Sequence, residues 1–149
     1  MSETPPDAPP GPQFEGADSD RTLTALVVED DPAVAELLRT MLNDVPGWGA
    51  TVVHDAAAAR EVARHVQVDV LVLDLHLPGI SGLELITLWR ASVAPPLPPV
   101  ILTTVDPGHE DVRAAAVRGD ITAVVAKPFD VDDLVAAVRR VVDGAGPRP

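Results

Sequence analysis

The feature that most constrains this chain is an apolar run that stops dead at a carboxylate. Val68 to Leu73 is apolar apart from Asp69, and it ends at Asp74. A run without polar alternation is what a strand buried on both faces requires, as in a parallel sheet covered by helices. Four other short β-prone runs share the design: Leu23 to Val28, Ala50 to Val53, Val100 to Thr103 and Ala123 to Ala126. Helical patterns alternate with them. Short connections between alternating strands and helices imply an α/β domain with a parallel sheet between two helical layers.

The helices carry their own punctuation. Asp31 is placed to cap the first, with Pro32 at its first position. Val34, Leu37, Leu38, Met41 and Leu42 form its expected buried stripe. Asp55 caps a second helix, Ala56 to about His65, with Ala59, Val62 and Val66 inward. A third runs from the Pro78–Gly82 loop to about Arg90. Asp106-Pro107 opens a fourth that ends near Gly119. Asp130 caps the fifth, which buries Leu134, Ala137, Val138 and Val141 and stops at Gly144. The Pro-rich stretch from Ala94 to Pro99 reads as a stiff connector.

The flanks read differently. Residues 1–20 hold five acidic residues, no basic ones and a cluster of prolines. Such a segment cannot bury enough apolar surface to offset its ordering entropy, so a disordered tail is expected. Residues 143–149 are expected to be a flexible end. The tail carries −5 of the net −12, leaving −7 on the remainder (−12 less −5). Acidity of this kind argues against direct nucleic-acid binding, which needs cations against phosphates. No apolar run nears the ~20 residues of a membrane span, and no signal peptide is visible. With no Cys, disulfides and thiolate sites are excluded. A cytoplasmic protein without a membrane partner is the expectation.

In an open α/β sheet, ligands bind beyond the carboxyl ends of the strands. Those ends here are Glu29, Asp30 and Asp31, then Asp74, then Thr103 and Thr104, then Lys127. Carboxylates gathered at one edge repel and need a cation; all-oxygen ligands favour a hard ion, and Mg²⁺ fits best. Asp74 could then act as a nucleophile toward phosphorus. A hydroxyl and an ammonium group would share the phosphoryl oxygens with the metal. Lys127 is the only Lys in the chain, and a compact ammonium suits that role. His54, His65 and His109 lack metal-ligand spacing. No Gly-rich phosphate loop is present.

The segments Leu26–Pro32, Val70–Gly82, Val100–Thr103 and Lys127–Phe129 resemble, in order and spacing, the receiver domain of two-component response regulators. The likeness covers about residues 23–142. It implies a flavodoxin-like (CheY-like) fold with strand order 2-1-3-4-5. It implies phosphotransfer to Asp74 from a histidine kinase or histidine phosphotransfer protein, and signalling to a downstream protein. By position, Asp30 and Asp74 would bind Mg²⁺ directly, Glu29 through water and His76 through its backbone carbonyl. Thr103 and Lys127 would contact the phosphoryl group.

Three departures stand out against that family pattern. Val124 occupies the position of an aromatic switch residue. Thr104 stands where small residues are usual, so its side chain is expected to restrict access to an acyl phosphate. The interval from Gly119 to Lys127 is one residue longer than the family pattern. His76 and Val105 are expected to line the approach to Asp74. A stand-alone receiver is the expected organisation, since few residues follow the fifth helix. The alternatives are a phosphorylation-independent binding module and, less favoured, a phosphatase of the haloacid dehalogenase type, which would need an Asp where His76 stands.

Overall fold

The computed structural model describes residues 22–92 and 96–145. Five strands, β1 (Leu23–Val28), β2 (Trp48–Val53), β3 (Val70–Asp74), β4 (Val100–Thr104) and β5 (Ala123–Ala126), alternate with five helices. These are α1 (Pro32–Asn43), α2 (Ala56–Ala63), α3 (Gly82–Ala91), α4 (Glu110–Arg118) and α5 (Val131–Ala145). All neighbouring strands pair in parallel, in the order β2-β1-β3-β4-β5. The expected flavodoxin-like topology is therefore present.

Strand alternation sorts the core into two layers. Leu26, Val28, Leu71, Leu73, Val100 and Leu102 pack on one face with residues of α2, α3 and α4. Ala25, Val27, Val70, Val72, Ile101 and Val125 pack on the other with α1 and α5. β3 and β4 are buried at every position. That explains why their sequences show no polar alternation.

Caps set most helix starts. Asp31 accepts from the N–H groups of Ala33 and Val34, and Asp55 from that of Ala58. Ser81 and Glu84 form a reciprocal capping box at α3. Asp130 accepts from Asp133 N–H at α5.

Several boundaries differ from the sequence reading. Leu37 is 49% exposed, while Ala35 joins the buried stripe. At about 100° per residue, Leu37 lies roughly 130° from the centre of the arc shared by Ala35, Leu38 and Leu42, beyond its edge. α2 ends at Ala63, leaving Val66 outside it and partly exposed. β2 begins at Trp48, earlier than expected, because Leu23 already pairs there. β3 begins at Val70 rather than Val68. Asp69 instead closes the ladder, its side chain accepting from Thr24 N–H at 2.7 Å. α4 begins at Glu110 rather than at Asp106-Pro107. A turn from Asp106 to His109 intervenes (His109 N–H to Asp106 O, 3.2 Å), and the His109 ring caps the helix. α5 continues through Gly144 to Ala145; a glycine costs about 1 kcal/mol in a helix and need not end it. The expected tail (1–20) and residues 93–95 of the connector lie outside the described residues, as do 146–149.

Candidate functional site

The carboxyl ends of β1, β3, β4 and β5 meet at one edge, and alternation decides which side chains share a side. Asp74 continues the row of Val70 and Val72, and Thr103 continues that of Ile101. Asp74 and Thr103 are register partners. Extended one residue past their strands, the rows of Val27 and Val125 place Glu29 and Lys127 on this same side. Thr104 belongs to the opposite row, with Leu102.

The four side chains on the first side form a compact polar cluster. Lys127 Nζ lies 2.9 Å from Glu29 Oε1 and 3.3 Å from Asp74 Oδ1. Glu29 is 2% exposed and Asp74 is 5%. Glu29 Oε2 accepts from Asp31 N–H, and Asp74 Oδ1 from His76 N–H, each at 3.2 Å. Asp30 is exposed, yet Glu29, Asp30 and Asp74 each offer a carboxylate oxygen within 4.8 Å of the others. Thr103 is fully buried, and among the described residues its hydroxyl has no hydrogen-bond partner. A buried hydroxyl without a partner is costly unless a ligand supplies one.

The electrostatics follow from burial. Desolvation pushes the Glu29 carboxyl above its ordinary value, aided by the Asp74 charge, although the hydrogen bonds from Lys127 and Asp31 oppose the shift. Burial alone would lower Lys127. The Glu29 hydrogen bond and the charges of Asp74 and Glu29 outweigh it and hold the ammonium above its usual value. Three carboxylates against one ammonium leave a negative pocket of hard oxygen donors. That donor set fits Mg²⁺, with Asp30, Asp74 and Glu29 able to hold it directly or through water.

The expected site residues fall as follows. Glu29, Asp30, Asp74, Thr103 and Lys127 come together. His76 joins through its backbone N–H, and its imidazole is exposed. Thr104 is fully buried on the other row, and its Oγ1 accepts from Asp106 N–H at 3.0 Å. Its hydroxyl therefore ties down the β4–α4 loop. Val124 is half-buried and packs against the layer of α2, α3 and α4. Val105 is 68% exposed.

Two residues escaped the sequence reading. The His54 ring reaches the Glu29 carbonyl through Nδ1 at 2.9 Å. A carbonyl only accepts, so Nδ1 must carry the proton. The pairing of Val28 with Val53 was the available signal. The second is Gly82, whose N–H donates to Leu75 O at 2.7 Å, folding the loop back onto β3.

The fold is thus a three-layer parallel α/β sandwich with a carboxylate, hydroxyl and ammonium cluster at its switch edge. Residues 25–139 match the family described as response regulator receiver domain, and the chain belongs to that family. It is 35% identical over 124 residues to the probable transcriptional regulatory protein TcrX of Mycobacterium tuberculosis, covering 83% of this chain and 51% of TcrX. It is 34% identical to the DNA-binding response regulator MtrA of Mycolicibacterium smegmatis, covering 76% and 48%. The chain thus spans about half the length of the curated relatives it matches. Among solved structures, the receiver domain of sensor histidine kinase PA1611 from Pseudomonas aeruginosa, with a magnesium ion coordinated in its active site cleft, superposes with a TM-score of 0.70 at 26% identity. It covers 81% of this chain and 98% of that one. Chemotaxis response regulator CheY4 of Vibrio cholerae shares the fold at TM-score 0.72 and 22% identity, covering 80% and 98%.

These relatives correct one expectation. The acidity of the chain argues against nucleic acid as a direct partner, and the relatives overturn that expectation. MtrA is a DNA-binding response regulator and matches this chain over only 48% of its own length. The charge of a matching half therefore does not exclude nucleic acid for proteins of this kind. As to membranes, no helix among the described residues is long and apolar enough to cross one.

Proposed function

We propose that this receiver takes a phosphoryl group onto Asp74 from a histidine kinase or histidine phosphotransfer protein in the cytoplasm, and signals that state to a downstream protein. The observation that carries the reading is the convergence on Asp74. A lysine ammonium lies 3.3 Å from its Oδ1, and a buried hydroxyl with no partner among the described residues stands opposite it on β4.

In the proposed reaction, an Asp74 carboxylate oxygen bonds to phosphorus as the phosphorus–nitrogen bond of the donor histidine breaks. The leaving imidazole keeps the electron pair. Lys127 and the Thr103 hydroxyl each donate to a non-bridging phosphoryl oxygen. Bound Mg²⁺ would neutralise charge developing on the transferred group, held by Asp30, Asp74, the His76 carbonyl and, through water, Glu29. The magnesium site of the PA1611 receiver supports that assignment. Lys127, one residue past β5, and Thr103, on β4, would shift toward the phosphoryl group and so report its presence. Regulation of transcription is the process we assign to the output, supported by the likeness to TcrX, a probable transcriptional regulatory protein, and to MtrA, a DNA-binding response regulator.

The test is labelling by acetyl phosphate in Mg²⁺. Wild type is expected to take up label and Asp74→Ala to take up none. Undiminished labelling of Asp74→Ala would sink the assignment.

A further inference from the structure

Gly82 opens α3, eight residues past the proposed phosphoacceptor, yet it is packed against it. A Cβ built on Gly82 would lie 2.6 Å from the Asp74 carbonyl oxygen, 3.1 Å from Leu73 Cγ and 3.2 Å from Leu75 Cα. The first contact is shorter than real Cβ atoms make, and it is to backbone in a fully buried strand. The backbone φ of Gly82 lies outside the left-handed region, so close approach, not conformational freedom, is what excludes a side chain. Contrast Gly79 in the same loop, at φ +86° with nothing within 4 Å of its virtual Cβ.

The contact is braced from both ends. Gly82 N–H donates to Leu75 O at 2.7 Å, and His76 and Ser81 form a one-pair antiparallel bridge. α3 therefore ends as a rigid stop against the peptide of Asp74. That peptide sets where the carboxylate sits relative to Lys127 Nζ and His76 N–H.

We infer that Gly82 is a positioning residue for the reaction at Asp74: the close seat of the α3 N-terminus on the Asp74 carbonyl fixes the height of the carboxylate in the site. This deepens the proposed function and rests on it. A side chain at position 82 must push the Asp74 peptide out of place or lift the helix. Displacements of about 1 Å from the productive geometry can cost on the order of 100-fold in rate.

The experiment compares acetyl-phosphate labelling rates and their Mg²⁺ dependence in wild type, Gly82→Ala and Ser81→Ala, with urea denaturation of each. Ser81→Ala weakens the same helix start by deleting its cap, without crowding Asp74. Gly82→Ala is expected to label on the order of 100-fold more slowly and to need more Mg²⁺ for half-saturation. Ser81→Ala should label within about threefold of wild type, a cap being worth a few-fold in local opening. Equal labelling of Gly82→Ala and wild type overturns the inference. So does a loss in Ser81→Ala as large as that in Gly82→Ala, since general destabilisation would then explain both. If Gly82→Ala does not fold, the wild-type NMR spectrum decides: the Gly82 α-proton signals must move on phosphorylation by acetyl phosphate, and signals that stay put overturn the inference. Absence of labelling in wild type instead defeats the assignment of Asp74 itself.

Discussion

The two sides of the sheet differ most at the edge where the site lies. On the α1/α5 side, the buried carboxylates of Glu29 and Asp74 are both bound by the half-buried Lys127, and Thr103 stands on the same side with a hydroxyl that has no partner among the described residues. On the α2/α3/α4 side, one residue along each strand, Thr104 and Val124 are packed groups with no charge. The Thr104 hydroxyl is already committed to the Asp106 N–H. The first side is therefore poised for a ligand and sensitive to charge. The second is satisfied and should respond to mutation only through packing.

The largest break in that comparison should come from Lys127→Met. It removes the one cation and leaves Glu29 and Asp74 buried together. Breaking a buried pair by deleting one partner costs about 3 kcal/mol or more. Urea denaturation in EDTA reads it, and added Mg²⁺ should restore more stability to this variant than to wild type. Next is Thr104→Val, which keeps the shape and deletes the hydroxyl. The Asp106 N–H then loses its acceptor, at about 1 kcal/mol. Labelling of Asp74 should persist, and its loss would move Thr104 into the ligand-facing side.

Glu29→Gln sharpens the contrast through pH. The folded state raises the Glu29 pKa above 4.5, so it holds the proton more tightly than the unfolded chain does. Its contribution is fully present below pH 4.5 and is lost as pH rises through the raised value. In EDTA, the wild-type minus variant stability difference should therefore fall across that window. A flat difference would mean that burial of Glu29 carries no cost. Lys127 follows the same sign in a higher window: its pKa is raised above 10.5, so its stabilisation is full below that value and is lost as pH rises through the raised one. The smallest effect is expected for Val124→Ala. It trims a half-buried side chain at about 1 kcal/mol or less, with labelling unchanged.

Much of this was legible in the chain. The caps Asp31, Asp55 and Asp130 and the buried face of α5 follow from local rules, because helix starts are decided within a few residues. Boundaries at β3 and α4 were not legible. Asp69 is drawn into a hydrogen bond with Thr24, 45 positions away, and α4 waits for a turn that only the β4 end can anchor. Strand order came from resemblance and not from periodicity, which cannot distinguish one arrangement of parallel strands from another.

For the site itself, sequence alone determined which groups stand at the strand ends: carboxylates, hydroxyls and one lysine, chemistry that suits a hard cation and a phosphoryl group. The fold decided which of them meet. Thr103 and Thr104 are neighbours in sequence and fall on opposite sides of the sheet, because pleating alternates side chains. Glu29 and Lys127 are 98 residues apart and touch, because β1 and β5 end at the same edge. Gly82 reads as an ordinary turn residue until α3 is seen resting on Asp74. Local sterics set the elements, but distance between remote residues depends on register and packing summed over the whole sheet.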